Sequence, residues 1–264
     1  MKSYFDYKMI YDGISVRFWN APYVEEREMH SYHELLYCQN ANTVLHTEGQ
    51  KKEVRGECFF IIPKGKYHSF DLSGVDEFVR LKISVSEELA RKMPVAIFSS
   101  DICILSSVGH VIGLLVSNVC NMMRGEINAG DEFYVYCAVK MLIAELNTQK
   151  TRNALTVQSD KNGNEVIQNI IKYVSTHLSG DLSVKTLARQ VNISPSYLTH
   201  EFHRELGISL HKYIVQKRMI YARERMDSGE KPSKIYMDCG FNDYSSFYKA
   251  YLKFFGEAPS EKKR

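Results

Sequence analysis

The sequence predicts an α+β protein of two domains: a small β-barrel or sandwich continued by helices, then an all-helical domain carrying two helix-turn-helix units. Three observations predict this. Residues 10–85 break into short strand-like runs separated by turn signals. From residue 86 onward the apolar spacing lengthens from two to three or four. The last third then contains one helical unit twice, with most matching positions 49 residues apart.

Composition bounds the possibilities. At 264 residues the chain is long enough for two ordinary domains. With 44% hydrophobic and 25% charged residues, disordered and fibrous classes are excluded. Residues 161–264 carry 17 Lys and Arg against 11 Asp and Glu, whereas residues 1–160 carry 17 against 20. A basic third behind a mildly acidic remainder suggests a surface that faces nucleic acid. The six cysteines form no C-x-x-C pair and sit in apolar surroundings, which reads as reduced, buried thiols of a cytoplasmic protein. The N-terminus lacks the apolar stretch of a signal peptide. Ile102 to Met123 holds 22 residues without Asp, Glu, Lys or Arg, but its serines, asparagines and His110 make it a buried or dimer-facing helix rather than a membrane span.

The elements follow in order. Ile14-Ser15-Val16-Arg17-Phe18-Trp19 alternates at period two, and Phe59–Pro63 and Phe78–Ile83 are short strand-like runs. Asp12-Gly13, Glu48-Gly49, Lys64-Gly65 and Ser73-Gly74 mark turns. Two helices are expected at about 102–124 and 131–149, split by Asn128-Ala129-Gly130. In the second, Val135, Val139, Leu142, Ile143 and Leu146 form a stripe suited either to core or to a dimer seam. The run from 149 to 163 is polar and aperiodic, so the domains are placed at 1–150 and 164–264 with a linker at 151–163.

In the repeat, Leu198, Phe202 and Gly207 fall on Phe247, Tyr251 and Gly256, and Ser194 falls on Asp243. Leu187 falls on Ile235 at an offset of 48, so the turn differs by one residue. Ser183 and Ser209 are good N-caps, Ser194-Pro195 restarts a helix with Ser at the cap and Pro at its first position, and Asn192 suits a left-handed turn. Leu187-Ala188, Ser194, Leu198, Phe202, Gly207, Tyr213-Ile214, Arg218, Ala222, Ile235, Gly240-Phe241, Asp243, Ser245, Phe247, Gly256 and Pro259, taken as an ordered set, resemble the AraC-type family of bacterial transcription regulators. The resemblance covers roughly residues 165–261. Four departures concern the second unit and the chain end. Tyr236 stands where the family carries Ala, Pro232 follows the poor N-cap Lys231, Tyr251 replaces an inward Phe, and the chain ends Lys262-Lys263-Arg264.

The resemblance implies a DNA-binding regulator and assigns residues to roles. Positions matching its base readers are Ser196, Thr199 and His200 in the first unit, and Tyr244, Ser245, Ser246, Tyr248 and Lys249 in the second. Lys suits guanine O6 and N7, Ser and Thr donate or accept, and Tyr and Thr touch thymine methyls. Lys185, Lys212 and Lys253 are candidates for phosphate, which positions without specifying. Arg218 is implied to be structural, between the two units. Two recognition helices on one linker helix would enter successive major grooves about 34 Å apart.

The N-terminal segments His30-Ser31-Tyr32-His33-Glu34 and Gly56-x6-Pro63-x-Gly65-x2-His68 resemble the two strand motifs of a cupin barrel, which such regulators often carry as a sensor ahead of pairing helices. A metal-binding cupin would use histidines and a glutamate, here drawn from His30, His33, Glu34 and His68. Adjacent His33 and Glu34 point to opposite sheet faces, so no metal and no cofactor is assigned. The histidines then either hydrogen-bond within the barrel or, with Arg17, Trp19 and Arg80, bind a small-molecule effector. Trp19 suits sugar stacking and equally suits core, and a sugar is the first effector class on family habit.

The leading reading is a sequence-specific transcriptional regulator, an activator controlled by its effector, working as a homodimer with double-stranded DNA and RNA polymerase as partners. It is not read as an enzyme or as a membrane protein. G-x-S-x-G, G-x4-G-K-[ST] and G-x-G-x-x-G are absent. The alternative is a metal-dependent cupin enzyme fused to a DNA-binding tail.

Overall fold

The computed structural model describes residues 6–19, 29–48, 50–71, 80–94, 96–98, 101–106, 109–125, 128–152 and 164–260. The chain divides into two compact units, Met1–Thr47 with Lys51–Asp160 and Glu48–Gln50 with Lys161–Arg264. Of the expected linker, residues 153–163 lie outside the described residues, as do the turn glycines Gly49 and Gly74 and the strand positions Phe78 and Val79.

The N-terminal unit contains strands β1 (Asp6–Tyr11), β2 (Ile14–Trp19), β3 (His33–Thr47), β4 (Gln50–Ile62), β5 (His68–Asp71), β6 (Arg80–Val85) and β7 (Cys103–Ser106). They form one sheet in the order β1-β2-β6-β3-β4-β7, with β5 on β3. The turn at Asp12-Gly13 has positive φ at both residues, the mirror-image geometry that matches strand twist in a hairpin. The 15-residue β3 pairs with β6 through residues 33–38 and with β5 through residues 44–47.

Period-two alternation gives the sheet two buried faces. One carries Val16, Phe18, Leu35, Leu81, Ile83, Phe59 and Ile61, and packs against α2 (His110–Met123) and α3 (Ala129–Arg152). The other carries Leu36, Cys38, Leu45, Phe60, Ile62 and Phe70, which form a second buried core. The stripe Val135, Val139, Leu142, Ile143 and Leu146 is fully buried in the first core, which decides between the two uses the spacing left open. Short α1 (Glu87–Lys92) is capped by Ser86, whose hydroxyl accepts from the Leu89 amide.

The helix expected over 102–124 is corrected by the structure. It starts only at His110, and Cys103–Ser106 is the strand β7, paired with β4 from Ile61↔Cys103 to Cys58↔Ser106. The run Ile102-Cys103-Ile104-Leu105 is apolar on both sides because both faces are buried: Cys103 and Leu105 enter one core, while Ile102 enters the other and Ile104 packs against it. A two-sided apolar run cannot be told from a buried helix by periodicity. Among the described residues no helix is long and apolar enough to cross a membrane. Cys38, Cys58, Cys103, Cys120 and Cys239 are buried thiols.

The C-terminal unit is helical: α4 (Glu165–Thr176), α5 (Val184–Gln190), α6 (Pro195–Leu206), α7 (Leu210–Asp227), α8 (Pro232–Ile235) and α9 (Tyr244–Phe255). Ser183, Ser194, Ser209 and Asp243 each accept a hydrogen bond from an amide in the first turn of the helix that follows. Asn192 adopts φ 54°, as its turn position required. Leu198, Phe202 and Leu206 bury the inner face of α6, and Phe247 and Tyr251 that of α9. Helix α7 joins the two copies of the repeat. Its Tyr213 ring meets Phe202 at 5.3 Å, while Met219, Ala222 and Met226 pack with Phe247 and Tyr251. Lys231 makes no side-chain cap, and α8 holds four residues where α5 holds seven.

Candidate nucleic-acid interface and effector cleft

Helices α6 and α9 are equal in length, 12 residues each, and both end on a left-handed glycine, Gly207 at φ 69° and Gly256 at φ 72°. With Leu198 and Phe202 inward, the 3.6-residue period turns Ser196, Thr199 and His200 outward, and all three are exposed. The same argument exposes Tyr244, Ser245, Ser246, Tyr248 and Lys249. Two of these carry internal duties. The Thr199 hydroxyl donates to the Pro195 carbonyl at 2.9 Å, and the Ser246 hydroxyl donates to Asp243 Oδ2 at 2.8 Å. Each retains its oxygen as an acceptor only. The Ser246 amide also bonds Asp243, and these bonds hold that carboxyl below the usual aspartate range.

Lys185, Lys212 and Lys253 are exposed. Lys185 and Lys212 stand in the first turns of α5 and α7. None of the helices α5 to α9 has an acidic residue in its first turn, whereas α1, α3 and α4 all do. Acids there would weaken the positive helix end. Helices α6 and α7 are capped by the neutral Ser194 and Ser209, whereas α9 carries the Asp243 carboxylate at its cap and Asp181 bonds Ser183 and Thr186 at the start of α5.

Within the C-terminal unit, Arg218 clasps the two copies of the helical repeat. Its Nε donates to the Leu178 carbonyl and its Nη2 to the Gly180 carbonyl, both at 3.0 Å, and its guanidinium lies 5.9 Å over the Phe241 ring. A Cβ on Gly240 would stand 2.4 Å from Arg218 Cζ, and Gly240 has φ 79°. Tyr236, the bulky departure, is half-buried and sits edge-on against Tyr244 at 5.9 Å, so the second unit accommodates it beside the recognition helix.

In the N-terminal unit, the period of two brings some of the expected effector residues together and separates one. Arg17 and Arg80 flank Trp19, each guanidinium under 5 Å from the ring at 4.8 and 4.7 Å. His30 and His68 are buried with ring centroids 5.1 Å apart, and His30 Nε2 is 3.1 Å from Glu34 Oε2. His33 is not part of this group. Its Nε2 pairs with Glu87 at 2.8 Å, its ring stacks on Phe98, and burial lowers its pKa against the pull of Glu87.

Two residues were missed by sequence reasoning. Lys82 places its ammonium 2.8 Å from Glu34 Oε2, and Lys8 lies beside Arg17 on the neighbouring strand. Burial would raise the Glu34 pKa, but the Lys82 ammonium and the His30 hydrogen bond outweigh it and hold the carboxyl well below the usual range. His30, Glu34 and His68 place potential ligand atoms within 4.8 Å of one another. The Lys82 ammonium, 2.8 Å from Glu34 Oε2, would repel a cation there, although Glu34 Oε1 is left as a buried acceptor without a hydrogen bond among the described residues. Beside this cluster lies a cleft of about 490 Å³, lined by Lys8, Arg17, Tyr32, Lys82 and three serines.

Residues 187–264 match a helix-turn-helix domain family. The match begins inside α5 at Leu187 and runs through the second copy of the repeat. The C-terminal domain is an AraC-type helix-turn-helix domain. This AraC-type domain is 30% identical over 92 residues to LumQ of Photobacterium leiognathi, a probable transcriptional regulator, covering 34% of this chain and 37% of that one. It is 29% identical over 97 residues to the arabinose operon regulatory protein of Escherichia coli, covering 36% and 33%. The chain thus spans about a third of the length of these relatives. An uncharacterized helix-turn-helix regulator of Bacillus subtilis, YobQ, is 22% identical over 231 residues, 87% of this chain and 85% of its own.

Proposed function

We propose that the chain is a sequence-specific, double-stranded-DNA-binding transcriptional regulator whose N-terminal unit binds a small-molecule effector. The single observation that carries this is the pair of equal helices, α6 and α9, each presenting an exposed polar face from the same position of a repeated unit. Ser196, Thr199, His200, Tyr244, Ser245, Tyr248 and Lys249 read bases, Ser246 acts as an acceptor, and Lys185, Lys212 and Lys253 hold phosphates. Effector binding near Arg17, Trp19 and Arg80 shifts which DNA arrangement the protein holds. The reading extends to a homodimer that activates RNA polymerase in the cytoplasm. Support for the dimer comes from Val111 and Leu114 on α2 and Phe133, Tyr134 and Met141 on α3, all exposed large apolar side chains.

Selection of sites from random duplex DNA by the full-length protein, at two salt concentrations, tests the reading. The expected result is an enriched motif in two blocks one helical turn apart that persists at the higher salt. Binding that collapses with salt and enriches no motif, both for the full chain and for residues 161–264, would count against sequence-specific recognition. The rival, a metal-dependent enzyme with a DNA-binding tail, requires stoichiometric metal in purified protein. The Lys82–Glu34 pair speaks against it.

A further inference from the structure

We propose that Tyr236 is a positioning residue that holds Tyr244, beside Tyr248, as an aromatic platform for thymine methyls in the half-site read by α9. This rests on the reading that α9 enters the major groove, and it gives the two half-sites different chemistry. The repeat supplies the contrast. At the offsets that align the two copies, Tyr236 falls on Ala188, Tyr244 on Pro195 and Tyr248 on Thr199. Three aromatic rings of the second copy thus stand where the first copy has no ring of that kind.

The rings run as a chain from the core to the surface. Tyr236 is half-buried and packs against the core that holds Phe247 and Tyr251. Its ring meets Tyr244 edge-on, with 5.9 Å between centroids and 79° between planes. Tyr244 also meets the fully buried Phe247 at 5.9 Å, and Tyr248 one turn along at 6.3 Å. These are separations at which aromatic pairs attract. Tyr244 is therefore held by three rings before DNA arrives, yet 38% of it and 37% of Tyr248 remain exposed. A side chain already held gives up less rotamer freedom on contact. Tyr244 is the first residue of α9, and the N-terminal residues of a recognition helix are those that contact base edges. Four residues separate Tyr244 from Tyr248, so both rings share one face of the helix. In the major groove the thymine 5-methyl is the apolar group on offer, and ring carbons match it while matching no donor or acceptor. The first unit presents Ser196, Thr199 and His200 instead, chiefly hydrogen-bonding groups.

Uracil in place of thymine removes that methyl and nothing else, which makes the test specific. Full-length protein is bound to its selected duplex site with uracil substituted in one block at a time. The block that His200→Ala relaxes belongs to α6, and the other to α9. The expected result is a loss of about fourfold for each buried methyl in the α9 block, with little change in the α6 block. Tyr236→Ala should weaken the thymine site toward the uracil site, so that their ratio falls toward one. Tyr236→Phe, which keeps the ring, should retain the ratio. A merely structural Tyr236 would weaken both DNAs alike and leave the ratio unchanged, which overturns the proposal. Tyr248→Ala, at an exposed position of α9, should remove discrimination at one thymine and serves if Tyr236→Ala folds poorly. An α9 block without thymine, uracil tolerated there, or equal losses in both blocks also overturns the proposal. So does a weakening of all sequences alike by Tyr244→Phe with uracil tolerated, which would place that hydroxyl on a phosphate. Each of these leaves sequence-specific DNA binding standing, whereas the absence of any enriched site removes that reading and this proposal together.

Discussion

At the scale of single residues, two positions carry tight constraints. Gly240 gives Arg218 room to reach the Leu178 and Gly180 carbonyls, and it does so in a left-handed conformation. Gly240→Ala should cost about 1–2 kcal/mol from backbone conformation alone, with the Arg218 clash in addition, read as a lowered Tm of the C-terminal transition. Wild-type stability in that variant would refute the clasp. Glu34 is fully buried and pairs with Lys82, whose side chain is 14% exposed. Glu34→Gln leaves that ammonium facing a neutral amide and should cost about 3–5 kcal/mol by denaturant unfolding. The pH sign follows from the depressed carboxyl. Stability from the pair is fully present above the ordinary value of 4.5 and is lost as pH falls below it toward the folded value. Wild type should therefore lose stability in acid more steeply than Glu34→Gln. Neither residue's partner was legible in the sequence, because Arg218 and Gly240 are brought together by the turn after α8, and Glu34 and Lys82 by strand pairing.

At the scale of elements, the helical unit follows its local signals closely. Ser194 accepts from the Tyr197 amide, and Ser194→Ala should cost about 1 kcal/mol. Helix α8 has the opposite fault. Lys231 sits in extended backbone at the cap position without capping, so Lys231→Ser should stabilise by about 1 kcal/mol. Opposite shifts of Tm for the two variants, under identical conditions, would establish the caps as the cause. A shared sign would refute it. The repeat was readable because caps, left-handed closures and i, i+4 apolar pairs all act within a turn or two of chain. Strand β7 was not readable. Ile102 to Leu105 is equally apolar in a helix or a strand, and only the vacant edge of β4 selects the strand.

At the scale of the whole molecule, DNA binding should separate into positioning and specifying parts. Lys185→Ala should weaken all sequences alike and lower the slope of log K against log salt by about 1. His200→Ala should instead relax preference in one block of the site, by about 1–3 kcal/mol of discrimination, and leave the slope unchanged. Identical behaviour of the two variants in competition binding would overturn the division of roles. The sequence by itself determined the two-domain α+β organisation, the doubled helical unit, its caps and turns, and the outward faces of α6 and α9. All of these are written in spacing along one segment, where 3.6-residue geometry converts order into direction. The tertiary structure alone decided that the α3 stripe is core, that His33 belongs with Glu87, and that Lys8, Arg17 and Lys82 stand in a row. The period of two tells which residues of a strand share a face. It does not tell which strand lies alongside, because sheet neighbours such as β2 and β6 are chosen by hydrogen bonding and burial between segments some 65 residues apart.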